Sequence, residues 1–357
     1  ICLLFSLAIF AQESTSSPYS YYGIGDIKFK GSVENRSMGS ISVLQDSIHI
    51  NIQNPAQLAC LKLTGLALGG TYVNTKSKTE TQEAKARRTS LDYMAIAFPV
   101  GKVGIGFGLI PYSSVGYKIG RTAYVTNNNN DTIRSIISRY NGIGGVNKVF
   151  LGFGYRLTKN INIGGDLQYN FGTIETKSLQ YQTDLQYGSR ENNVSDLRGV
   201  NFDLGITYQT KVKSKFSFFS SLAYTPEAVL TSGNTRNIEI VLVTSSSVRP
   251  VETQNIGVAD TKIKLPSKLS FGSGFGQVKK WLVGGEITFI QNSVMSNRFT
   301  DINGATFENS VRYSLGGFFI PNYNSYSSYY KRIVYRGGVR YENTGLVIQD
   351  KSITDFA

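Results

Sequence analysis

The sequence predicts an all-β protein, a transmembrane antiparallel β-barrel with a plug segment at its N-terminus, on three observations. Only 17% of the 357 residues are charged, while 12% are aromatic and 37 are glycine; ordinary soluble domains carry about 25% charged residues. No stretch approaches the roughly 20 apolar residues of a spanning helix, and the mean hydropathy is -0.14. Segments of about ten residues instead alternate apolar and polar side chains, the length and pattern of a strand crossing a bilayer at a tilt.

The elements follow in order. Residues 1–10, ICLLFSLAIF, are an apolar block, and Ala11-Gln12-Glu13 follows it. An apolar core before a small residue is the pattern of a secretory signal. Residues 1–11 are therefore read as a signal remnant that starts inside the signal, with export through the periplasm. Residues 12–64 are polar, rich in tyrosine and poorly periodic, and are read as a hatch. Residues 65–357 are read as the barrel.

Alternation dominates that last region. In INIGGDLQYNF, Ile161, Ile163, Leu167, Tyr169 and Phe171 share a face opposite Asn162, Asp166, Gln168 and Asn170. VNFDLGITYQ, WLVGGEITF, VFLGFGYRL and IVYRGGVRYE repeat the pattern, and three of these five carry a Gly-Gly pair, an internal hairpin repeat. Short connections (101–102, 158–160, 211–215, 277–280) alternate with long polar ones (118–141, 187–196, 236–260), as expected for periplasmic turns and extracellular loops. Counting gives about 11–12 strands where closed bacterial barrels carry an even number. The tail DKSITDFA alternates poorly, so the barrel is expected to be incomplete at its C-terminus.

The net charge of +13 and isoelectric point near 9.5 call for an anionic neighbour. The basic residues are scattered rather than grouped on one element, which argues against nucleic acid. The outer membrane of a Gram-negative bacterium, with its lipopolysaccharide, satisfies the same electrostatics. Cys2 lies in the signal and Cys60 is alone, so no disulfide or thiolate metal site is expected.

The stretch RSMGSISVLQDSIHINIQNPAQLACL, residues 36–61, carries a specific likeness. With Ser37-Met38-Gly39 near its start and Asn54-Pro55-Ala56 near its end, it resembles the N-terminal hatch of the FadL/TodX family of hydrophobic-compound transporters. The preceding SPYSYYGIGDI resembles Bacteroidetes-type members. The resemblance implies a barrel of about fourteen strands that passes long-chain fatty acids or aromatic hydrocarbons sideways into the membrane. It also implies a protein partner as an alternative, because the shuttle barrel of type IX secretion shares the fold. In that alternative the chain is a plugged, non-transporting subunit of an outer-membrane complex, docked through its long loops.

Physically, Pro55 fixes its own φ and pushes Asn54 toward extended geometry, a device for seating the plug. Pro111 interrupts the third strand, VGIGFGLIPYSSVGYKI, where proline cannot donate to the ladder. By the resemblance, Pro111 and Tyr112 mark a strand kink and lateral exit; the plain alternative puts Pro111 beyond regular pairing. The clusters GIGFG (104–108) and GSGFG (272–276) lie in strands with no helix after them, so the phosphate-binding context fails. They are expected to leave room for the plug. His49, the only histidine, lies in the hatch without the partners of a hydrolytic triad. No enzyme activity, cofactor or metal is expected.

Overall fold

The computed structural model describes residues 17–44, 46–78, 83–126, 132–213, 215–244, 247–302 and 304–357. The expected signal segment, residues 1–11, and residues 127–131 of the expected loop 118–141 lie outside the described residues.

The strands are β1 (Asp26–Ile27), β2 (Gly65–Lys78), β3 (Glu83–Val100), β4 (Val103–Pro111), β5 (Ser113–Thr126) and β6 (Thr132–Gly144). They continue with β7 (Asn147–Arg156), β8 (Ile161–Gln182), β9 (Tyr187–Val212), β10 (Phe216–Thr225), β11 (Ala228–Val243), β12 (Val248–Ile256) and β13 (Thr261–Leu265). The last are β14 (Lys268–Gln277), β15 (Trp281–Ile290), β16 (Ala305–Phe307), β17 (Ser310–Phe319), β18 (Tyr335–Ile348) and β19 (Lys351–Phe356).

Antiparallel registers link β2 to β3, then β4, β7, β8, β9 and β10. They run on through β14, β15, β17, β18 and β19. Residues 17–44 and 46–64 lie against the inner face of this wall. The hatch touches strands from both halves of the series, Gly104 and Gly164 on one side and Gly316 and Gly338 on the other. The sheet therefore wraps around it.

Alternation in the sequence becomes an inside and an outside. On β8, Leu167 is 60% exposed while its neighbour Gln168 is 0% exposed. On β9, Val200, Phe202, Leu204 and Ile206 point outward, with Asn201, Asp203 and Thr207 buried. An apolar exterior around a polar interior is stable only where the exterior meets lipid. Phe216, Phe275 and Trp281 pack together at the short-turn end, with ring centroids 5.4–6.2 Å apart, in the position of an interfacial aromatic girdle.

The long connections differ from expectation. Residues 187–196 belong to β9, and 118–141 and 236–260 are largely the β5–β6 and β11–β12 hairpins. They form an upper storey in which β5 pairs with β6, β6 with β8, and β11 with β9 and β12. Backbone hydrogen bonds continue there, but with no lipid on either face the side chains need not alternate, and β12 is exposed along nearly its whole length. The poorly alternating tail also pairs: β19 returns along β18 through Gln349 and Asp350, both at positive φ (49° and 60°).

Among the described residues, β2 is paired only with β3 and β19 only with β18, and a further stretch of wall within the series is unpartnered. Met94 on β3 pairs with Leu109 on β4. Beyond that level β3 bonds only to β2, and β5 beyond Ser114 only to β6, among the strands of the described residues. The break follows Pro111. The hatch strand β1 fills its lower end, placing Asp26 beside Ser114 and Ile27 beside Ser113.

Candidate functional site

The triplet Asn54-Pro55-Ala56 opens a short 3-10 helix, Pro55–Cys60, with Asn54 as its cap. Asn54 Oδ1 accepts from Ala56 N at 3.0 Å. Its Nδ2 donates outward to the wall, to Ser221 Oγ and the Leu222 carbonyl, each at 3.1 Å. One side chain thus caps the helix and ties it to β10. Buried polar groups need such partners, and Asn54 is fully buried.

Around this helix the wall carries glycines. A Cβ on Gly104 would lie 1.9 Å from the Leu58 carbonyl oxygen, on Gly164 2.5 Å from Ala56 N, and on Gly205 1.9 Å from Asn54 Oδ1. Across the interior, a Cβ on Gly316 would lie 2.1 Å from the Met38 carbonyl oxygen and on Gly338 2.3 Å from Gly39 N. Gly272, Gly274 and Gly284 meet Val43. One member of each of the pairs 164–165, 284–285, 316–317 and 337–338 thus faces the hatch, as do Gly104, Gly106, Gly272 and Gly274 of the two clusters.

Ion pairs fix the hatch further. Lys30 reaches Asp203 and lies 3.6 Å from Asp166; Asp203 also accepts from Gln168 at 2.7 Å and from Thr225. Arg36 pairs with Asp92 at 3.0 Å. Ser42 N and Oγ both donate to Glu286 Oε2 at 2.7 Å. From the other direction, Arg298 is fully buried and donates to the Gly23 and Tyr21 carbonyls. Sequence reasoning missed these clamps. Their signal was the inward carboxylates Asp166, Asp203 and Glu286, which a buried position requires to be paired.

Pro111 ends β4. Tyr112 N donates to the Val146 carbonyl at 2.8 Å, and its own carbonyl accepts from Lys28 N at 2.8 Å. The buried Lys148 ammonium stands 4.4 Å from the centre of the Tyr112 ring. Tyr112 and β1 line a cavity of about 520 Å³ between hatch and wall. Its walls mix aromatic side chains (Tyr19, Tyr22, Phe29, Phe307) with charged ones from Lys30 and Lys148 to Arg312 and Glu342. It is not the purely apolar pocket that a hydrophobic cargo alone would call for. A second cavity of about 560 Å³ opens above it, lined by Tyr19, Tyr21, Tyr22, Tyr117 and Tyr140. Pro111 and the Asn54 triplet sit on different elements, and neither lines the cavity; Tyr112, the neighbour of Pro111, does.

His49 bonds Asp46 through Nδ1 and lies 3.9 Å from Glu34 through Nε2. The hydrogen bond to Asp46 holds its pKa above the ordinary value. Among the described residues, no group of three or more His, Cys, Asp or Glu is placed to hold a metal.

Several solved structures share this architecture. The Pseudomonas putida toluene transporter TodX matches 94% of this chain and 89% of its own, with a TM-score of 0.57 and 17% identity. The Ralstonia pickettii toluene transporter TbuX matches 90% and 88%, at 0.51 and 14%. A Pseudomonas aeruginosa FadL homologue matches 91% and 82%, at 0.53 and 11%. At these identities the likeness establishes the fold, that of FadL- and TodX-like barrels. No curated protein sequence matches the chain. The BamG family model matches residues 1–357, from end to end, and the chain belongs to the BamG family.

Proposed function

We propose that this chain is a hatch-plugged barrel of the Gram-negative outer membrane, of Bacteroidetes type. It takes hydrophobic small molecules, such as long-chain fatty acids or aromatic hydrocarbons, from outside and releases them sideways into the bilayer. The observation that carries this reading is the unpartnered wall between β3 and β5, whose lower end, at Tyr112 and β1, borders the inner cavity. The structural likeness to toluene transporters supports it. With the hatch base seated on glycine, the route runs past β1 rather than through the plug.

The test locks β1 to β5. Ile27→Cys with Ser113→Cys joins two residues that are direct register partners. Oxidation is expected to abolish uptake of labelled toluene or oleate into proteoliposomes, with reduction restoring it. Unchanged uptake in the oxidised protein overturns the lateral route.

A second reading is favoured by the glycine seat and the charged cavity. In it the chain is a plugged, non-transporting subunit of an outer-membrane protein complex, similar to the type IX secretion shuttle. The upper hairpins β5–β6 and β11–β12 are then its docking surface for a protein partner. Native mass spectrometry of protein extracted in mild detergent separates the two: a bound hydrocarbon or fatty acid supports transport, and a stoichiometric protein partner on an empty barrel supports the subunit.

A further inference from the structure

The charge of +13 is not spread evenly over the fold. Residues 73–90 carry Lys76, Lys78, Lys85, Arg87 and Arg88 against Glu80 and Glu83, a net charge of +3. Residues 118–141 also sum to +3, whereas the two other long hairpins, 173–198 and 232–256, sum to -1 and 0. The two hairpins that flank the break in the wall thus hold +6 of the net +13, where the two other long hairpins add nothing positive.

On β2 and β3 they stand in a defined vertical order. Leu66, Leu68 and Leu91 lie exposed on the outer face, Tyr72 above the first two, and Lys76, Lys85 and Arg87 higher still. A strand rising about 3.3 Å per residue at a tilt near 40° lifts Lys76 roughly 28 Å above Gly65, just past an apolar band about 25 Å tall. The order apolar, aromatic, cationic is that of lipid tails, interface and head group.

The register sharpens the point. Lys76 is directly opposite Lys85, and Asn74 is opposite Arg87. Like charges facing across a strand pair destabilise it, so this pairing calls for an anion. Glu83 serves Lys76 at 2.9 Å and Lys78 at 3.9 Å. Neither Lys85 nor Arg87 has a carboxylate partner among the described residues. Two residues apart on one face, they stand roughly 7 Å from each other, a span their long side chains bridge around one phosphate.

We propose that the outer face of the β2–β3 hairpin binds the phosphorylated head group of an outer-leaflet glycolipid. The phosphate lies among Lys76, Lys85 and Arg87, and the acyl chains run down Leu66, Leu68 and Leu91. The site is independent of whether cargo passes the wall. It anchors lipid beside the one stretch where β3 has a free edge, covering that edge with ordered lipid.

The test titrates the detergent-solubilised full chain with bisphosphorylated lipid A and with the same lipid after phosphatase treatment, followed by native mass spectrometry. At about 1 kcal/mol per basic residue near an anionic surface, Lys85→Gln with Arg87→Gln is expected to weaken binding of the phosphorylated lipid about thirty-fold. Arg249→Gln with Lys262→Gln, on exposed positions of β12 and β13, is expected to leave it unchanged. Wild-type protein that binds both lipids equally overturns the proposal without recourse to any variant. Equal losses in the two double variants also overturn it, by showing general electrostatics rather than a site.

Discussion

The glycine seat makes a sharp prediction within one repeat. Gly164 and Gly165 are adjacent on β8 and differ in the side they face. A Cβ on Gly164 would meet Ala56 N at 2.5 Å, the Pro55 carbonyl carbon at 2.6 Å and Ala56 Cα at 2.7 Å. All three are backbone atoms of a helix pinned by Asn54, so none is the loose end of a side chain. Relief requires the helix or the strand to move by close to an ångström, and overpacking of this kind costs about 1–3 kcal/mol. A Cβ on Gly165 would find its nearest neighbours at 3.5 Å, ordinary contact. Removing glycine's backbone freedom there is neutral or stabilising by about 0.5–1 kcal/mol. Gly164→Ala is therefore expected to unfold from lipid vesicles at lower urea than wild type, and Gly165→Ala at the same or higher urea. The single tryptophan, Trp281, reports the transition, and protease release of the hatch reports displacement of the plug alone. If the two variants share a midpoint and a digestion rate, the hatch is not seated on the glycines.

Asp203→Asn removes the principal partner of Lys30, for which breaking a buried pair costs about 3–5 kcal/mol. Asp166, 3.6 Å away, holds the loss to the lower end, and Lys30→Met added to Asp203→Asn is expected to recover part of it in the same urea assay. Asn54→Ala gives up the wall bonds at Ser221 and Leu222 and is expected to cost about 1–3 kcal/mol, with protease release of the hatch as the readout. His49 faces Asp46, Glu34 and, at longer range, Arg336. Its folded pKa is raised, so the stability it contributes is complete below about pH 6.5 and is lost as pH rises through the folded value. Carbon-13 labelling of this only histidine should show a titration midpoint above that of a free imidazole, falling back in Asp46→Asn; an unchanged midpoint there rules out the pairing.

The wall was legible in the sequence because lipid outside and a polar interior impose a period of two. Val200 to Ile206 and Asn201 to Asp203 declare their sides without any structure. Above the membrane that constraint disappears, which is why 118–141 and 236–260 read as loops although 118–126 pairs with 132–141 and 236–243 with 248–256. The Gly-Gly repeat was visible but its cause was not: whether the first or second glycine faces inward depends on strand register, as Gly164 and Gly338 show by occupying opposite places in their pairs. The clamp on Lys30 was harder still, since its partner Asp203 lies 173 positions away.

These features divide the plug into two regimes. Residues 35–61 are held by backbone-to-glycine contacts, by Asn54 and by Glu286, and moving any of them disturbs several strands together. Between the clamps at Gly23 and Lys30, the segment around β1 bears on the wall through a two-residue ladder to β5 and a few hydrogen bonds, among them Lys28 N to the Tyr112 carbonyl. Opening energies are lowest where backbone bonds are few and neighbours sparse. Any opening between the inner cavity and the bilayer therefore begins at β1, with the Asn54 seat as the fixed point against which it moves.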